Sequence, residues 1–131
     1  MQPPNPASGT AKEWLRRAKG KLALARLPLP PDGFREDLCF NAQQASELAI
    51  KAVYQHQGWM FAYIHDLDRL LDGLQQNGLN IPQAVQEADQ LSIYAAQTRY
   101  PGLYAPVTQS KYEEAVRIAE AVVNWAETLV S

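Results

Sequence analysis

His56 and His65 are the only two imidazoles in the chain, and only His65 has a carboxylate beside it, Asp66. Adjacent residues on a helix do not face each other, so His65-Asp66 is read equally well as a turn in which Asp66 caps a following helix. Asp68 and Asp72 share a helix face and could hold a cation, but two carboxylates without further ligands make a poor site. Two histidines do not make a multi-histidine centre either, so no metal and no cofactor is expected. Ser46 and Ser110 have no histidine near them in sequence, and no glycine-rich phosphate loop is present. The single cysteine, Cys39, excludes an intrachain disulfide and a multi-thiolate metal site. It lies among apolar neighbours, as expected of a buried structural thiol.

Two polar constellations remain. In the segment 98–107, Thr-Arg-Tyr-Pro-Gly-Leu-Tyr-Ala-Pro-Val, two prolines and a glycine fix the shape of a loop that holds Arg99, Tyr100 and Tyr104. An arginine with two tyrosines is suited to gripping a phosphate and stacking on a base. Equally, such a loop packs over the end of a helical bundle. The second constellation is Gln43, Glu47 and Lys51, four residues apart along one helix face. Glu47 to Lys51 has the favourable ion-pair direction. Either the pair is an exposed salt bridge, or the face is a polar seam used by a partner helix or a nucleotide.

The elements that must position these residues are helical throughout. Thr10-Ala11-Lys12-Glu13 matches a capping box, and helix 1 runs from it to about Leu27 with Trp14, Leu15, Ala18, Leu22 and Ala25 on one face. Pro28-Leu29-Pro30-Pro31-Asp32-Gly33 breaks the helix. Helix 2 spans about Phe34 to Gln57, with Gly58 as its stop. Its Leu38, Ala42, Ala45, Ala49, Ala52 and Val53 form one face, while Phe40, Ile50 and Tyr54 interleave with Gln43, Glu47 and Lys51 opposite. A surface helix has one apolar stripe and one charged stripe. This helix is expected to be covered on both sides, and Phe40, Gln43, Glu47, Lys51 and Tyr54 are the candidate dimer or partner face.

The segment 59–64 is ambiguous between linker and turn. Helix 3 follows with Leu67, Leu70, Leu71 and Leu74 and ends at Asn77-Gly78. Helix 4 enters at Pro82, uses Val85, Ala88, Leu91 and Ala95, and stops near Gln97. Helix 5 starts at Thr108 or Ser110 and carries a broad apolar arc, with Glu113 and Arg117 spaced as an i,i+4 pair. No alternating strand pattern occurs. The expected fold is all-α: an antiparallel up-and-down helical bundle of four long helices plus a shorter one.

With 131 residues, the chain supports one domain, residues 10–131, behind a flexible proline-rich N-terminal arm of residues 1–9. Net charge is −2. Residues 1–36 carry seven basic and three acidic side chains, and the remainder five and eleven, so a basic face on an acidic body could steer an anionic partner. No signal peptide and no membrane-length apolar run is read in the sequence, so a soluble, cytoplasmic protein without membrane partners is expected.

Taken together, the segment Ala42-Gln43-Gln44-Ala45-Ser46-Glu47-Leu48-Ala49-Ile50-Lys51-Ala52, then His65-Asp66-Leu67, then Thr98-Arg99-Tyr100-Pro101 resembles the HEPN domain proteins over about Ala11 to Leu129. These are small prokaryotic helical proteins associated with minimal nucleotidyltransferases. The resemblance implies a homodimer, nucleotide or RNA binding, and a toxin–antitoxin-like pairing with a nucleotidyltransferase. In some branches it implies metal-independent ribonuclease activity, carried by an arginine with a histidine four to six residues later. After Arg99 come Tyr100, Pro101, Gly102, Leu103, Tyr104, Ala105 and Pro106, without a histidine, and no other arginine supplies the spacing. Cleavage needs a group to move the proton of the attacking hydroxyl, and histidine is the usual one.

The expected function is therefore a non-catalytic binding or regulatory protein, with nucleotide contact at Arg99, Tyr100, Tyr104, Lys51 and His65. The alternatives are a ribonuclease toxin with a rearranged site, using His65 as base and Arg99 on phosphate, and a structural helical adaptor.

Overall fold

A computed structural model describes residues 9–61, 64, 66–95, 100–102 and 104–130. Among these the regular elements are all helical: α1 (Ala11–Ala25), α2 (Arg35–Gln57), α3 (Leu67–Gln76), α4 (Gln83–Gln86), a 3₁₀ segment (Glu87–Ala95) and α5 (Gln109–Val130). The helix stops and starts follow the local chemistry. Thr10 Oγ1 accepts the Glu13 amide at 3.2 Å to open α1. Asp66 accepts the amides of Asp68 and Arg69 to open α3. Gly58, at φ 74°, ends α2 in the left-handed conformation that glycine adopts freely, and the Trp59 amide returns to the Tyr54 carbonyl.

α2 is the axis of the bundle. Ala42, Ala45, Ala49, Ala52 and Val53 are fully buried, and α1, α3, α5 and the 3₁₀ segment all pack against it. The small side chains let the neighbouring backbones approach. Leu15, Ala18, Leu22 and Ala25 close the core from α1, and Ala115, Ile118, Ala119, Val122, Val123 and Ala126 from α5. No helix among the described residues is long and apolar enough to cross a membrane.

Two expectations need correction, and a third gains detail. The fourth helix is α-helical only over Gln83–Gln86 and continues as 3₁₀. Its buried residues Ala88, Leu91 and Tyr94 recur every third position, which matches three residues per turn and keeps them all on the core side. Arg117 pairs with Glu87 at 3.4 Å, while Glu113 accepts from Gln109, so the expected i,i+4 pair yields to links with other positions. The basic face of α1 is partly matched within the chain, because α5 supplies Glu127 to Lys19 and Glu120 to Arg26.

Candidate functional site

The polar face of α2 lies inside the single chain. Gln43 is 0 % exposed, Glu47 and Lys51 are each 5 %, and Tyr54 is buried, while Phe40 is half-buried. Glu47 accepts from Gln43 Nε2 at 3.0 Å on one oxygen and from Lys51 Nζ at 2.9 Å on the other. Lys51 Nζ also lies 5.3 Å from the centre of the Phe61 ring. That ring meets Trp14 and Tyr54 edge-to-face, each at 5.6 Å between centroids. Tyr54 donates to the Leu70 carbonyl at 2.6 Å.

The expected exposed salt bridge is thus a buried one, and the second side of α2 is covered by the chain's own elements. Within the single chain Gln43, Glu47, Lys51 and Tyr54 are therefore enclosed, and Phe40 is the half-buried member of that face. Lys51 is also removed from the loop tyrosines: it lies 14 residues beyond Asp37 on α2, or about 21 Å at the helical rise.

Two adjoining cavities lie at the other end of α2. A cleft of about 470 Å³ opens between the first turn of that helix and the loop before α5, lined by Phe34, Glu36, Asp37, Pro101, Gly102, Tyr104 and Pro106. The loop is fastened to the helix start by Arg35, which donates to Gln109 Oε1 at 3.0 Å and to the Val107 carbonyl at 3.4 Å. Glu36 accepts the Val107 amide at 3.4 Å. Partial burial, then the charge of Glu36 and a hydrogen bond to it, hold the Tyr104 hydroxyl in its protonated form to higher pH than usual. Tyr100, two residues before Gly102, is 62 % exposed.

A second cavity of about 520 Å³ adjoins the first and is largely apolar: Leu24, Leu27, Pro28, Leu29, Pro30, Gly33, Phe34, Asp37, Leu38 and Asn41 line it. Phe34 and Asp37 belong to both walls. Phe34 is 67 % exposed, and Leu24, Leu27 and Leu29 are 45 %, 51 % and 39 % exposed, so the helix 1–helix 2 connection carries an open apolar collar.

Of the expected nucleotide contacts, Tyr100 and Tyr104 lie at or beside the first cleft, Lys51 is buried elsewhere, and Arg99 and His65 lie outside the described residues. Phe34, Glu36 and Asp37 were not anticipated as site residues. The available signal was Phe34 itself: it stands at the N-cap of α2 without a side-chain cap bond, where Ser, Thr, Asp or Asn is favoured. Cys39, one turn further on, is buried against Tyr94. Burial pushes its thiol up to about 11 despite the Tyr94 hydrogen bond, and this disfavours the nucleophilic thiolate. No group of three or more His, Cys, Asp or Glu side chains that could hold a metal ion occurs among the described residues.

The HEPN domain family matches residues 11–129. The crystal structure of an archaeal HEPN homologue superposes with a TM-score of 0.73 at 27 % identity, covering 94 % of this chain and 99 % of that one. The crystal structure of a protein from Thermus thermophilus gives 0.64 at 30 % identity, covering 91 % of each chain. No curated protein sequence matches the chain.

Proposed function

The chain belongs to the HEPN domain family, and we propose that it is a non-catalytic binding and regulatory member that acts by docking a partner protein across the Phe34–Asp37 ridge. The partner class that the family resemblance brings is a nucleotidyltransferase, in a toxin–antitoxin-like pair. The observation that carries the reading is Phe34. A large aromatic side chain is left 67 % exposed at a helix cap, between two adjoining cavities. Departures from local preference of this kind concentrate at functional sites.

Catalysis has less support. The chain lacks the arginine–histidine spacing of the ribonuclease branch, and the described cleft presents Glu36 and Asp37 beside Tyr104, an arrangement that repels the phosphates of RNA or a nucleotide.

Co-expression of the full chain with a minimal nucleotidyltransferase of the same organism tests the reading, with the mass of the purified complex measured by light scattering. A defined complex is expected, and Phe34→Ser is expected to dissociate it. A complex that Phe34→Ser leaves intact overturns the docking surface. Labelled RNA cleaved by the purified chain overturns the non-catalytic assignment.

A further inference from the structure

We infer that the partner segment seated at this ridge is cationic and apolar at once: a short stretch of a partner protein that places an arginine or lysine in the Tyr104–Glu36–Asp37 cleft and an apolar side chain in the adjoining Leu24–Leu27–Leu29 cavity. The inference rests on the docking reading above and adds the chemistry of the occupant.

Charge complementarity sets the first half. The charged side chains among the described residues of the cleft are both carboxylates, Glu36 and Asp37. Glu36 accepts the Val107 amide, whereas Asp37 is exposed and pairs with no cation among the described residues. Arg35, in the same turn, directs its guanidinium to the Val107 carbonyl and Gln109 and does not line the cleft. The partial positive charge at the start of α2, roughly half a unit, offsets only part of the negative charge that the cleft presents. Phe34 and Tyr104 add two aromatic rings, which attract a desolvated guanidinium or ammonium group through their π faces. Carboxylates flanked by aromatic rings are the chemistry of a cation pocket.

Continuity sets the second half. The two cavities share Phe34 and Asp37 as a common wall, and among the described residues the one lined by Leu24, Leu27 and Leu29 has Asp37 as its single charged lining residue. A free small cation would neutralise the first cavity and leave the second empty. A peptide with an apolar side chain near its basic one fills both, and burying such side chains at the collar contributes affinity that exposed ion pairs do not.

Fluorescence anisotropy of the full chain with three labelled 12-residue peptide pools tests this. The pools share Leu and Phe at alternate positions and differ only in carrying Arg/Lys, Glu/Asp or Gln between them. The basic pool is expected to bind at least tenfold more tightly than the other two. That preference should vanish in Asp37→Lys, persist in Asp68→Lys on α3, and weaken as salt rises from 50 to 500 mM. Equal or tighter binding of the acidic or neutral pool overturns the cationic assignment while leaving a docking surface in place. The same conclusion follows if no pool binds while Phe34→Ser still dissociates the partner complex. If no pool binds and Phe34→Ser leaves the complex intact, the docking surface falls with it.

Discussion

The Tyr54 hydroxyl occupies the space that a side chain at residue 73 would need. Gly73 is half-buried on α3, and a Cβ placed there would overlap the hydroxyl oxygen that donates to the Leu70 carbonyl at 2.6 Å. Glycine is retained within a helix, at a cost of about 1 kcal/mol relative to alanine, because it lets the central helix bond to the backbone of its neighbour. Gly73→Ala is expected to destabilise the chain by about 2 kcal/mol despite its better helix propensity. Adding Tyr54→Phe should recover part of that loss, since the clashing oxygen is gone. Denaturant unfolding of both variants checks the sign and the coupling, and a stabilised Gly73→Ala would refute the fit.

Glu47 is the hinge of the buried polar ladder, accepting from Gln43 and Lys51 on separate oxygens. Removing it strands a buried ammonium, so Glu47→Leu alone is expected to cost about 3–5 kcal/mol. The double variant Glu47→Leu with Lys51→Met removes both charges and should be clearly more stable than Glu47→Leu. A double-mutant cycle by urea unfolding measures this. Additive losses would mean that the pair is not coupled.

Alkaline titration has a defined sign. The Cys39 thiol is pushed from an ordinary 9.0 to about 11 and the Tyr94 hydroxyl from 10.0 to about 12, in both cases chiefly by burial. For an acid whose folded pKa lies above its unfolded value, the neutral form is favoured by folding. The stability this carries is complete below the unfolded pKa and is lost as pH rises through the folded one. Stability should therefore fall between pH 9 and 12, with the thiol contributing on the order of 2 kcal/mol. Cys39→Ala should flatten the lower part of that decline. Thermal melts from pH 8 to 12 decide it, and an identical decline in the variant would rule out the thiol.

Phe34→Ser separates stability from function. Serine supplies the cap that α2 lacks and removes an exposed aromatic, so the variant is expected to gain about 1 kcal/mol. It should at the same time lose its partner. Loss of stability together with loss of binding would assign Phe34 to the fold rather than to docking.

Much of the framework was legible because its signals are local. The alanines at 42, 45, 49 and 52 mark the buried axis, Asp66 the start of α3, and Gly58 the end of α2. The ladder was harder. Gln43, Glu47 and Lys51 look like a wet or partner-facing stripe residue by residue, and their burial shows only once they bond to one another and Phe61, beyond the end of α2, folds back over Lys51. The 3₁₀ segment escapes a helical-wheel reading because Leu91 and Ala95 fit an α-helical i,i+4 spacing, whereas the three-residue spacing of Ala88, Leu91 and Tyr94 is the one that the core uses. The cleft could not be read, since it joins the first turn of α2 to a loop some 70 residues later.

The docking surface is tested most directly by photocrosslinking in cells, with p-benzoylphenylalanine in place of Phe34 and, as a control, in place of the exposed Gln75 on α3. Position 34 keeps an aromatic ring, so a partner that seats there remains within reach of the probe. The account predicts a discrete adduct from position 34 that Asp37→Lys suppresses, and none from position 75. Adducts of equal yield from both positions, or none from position 34, would contradict it.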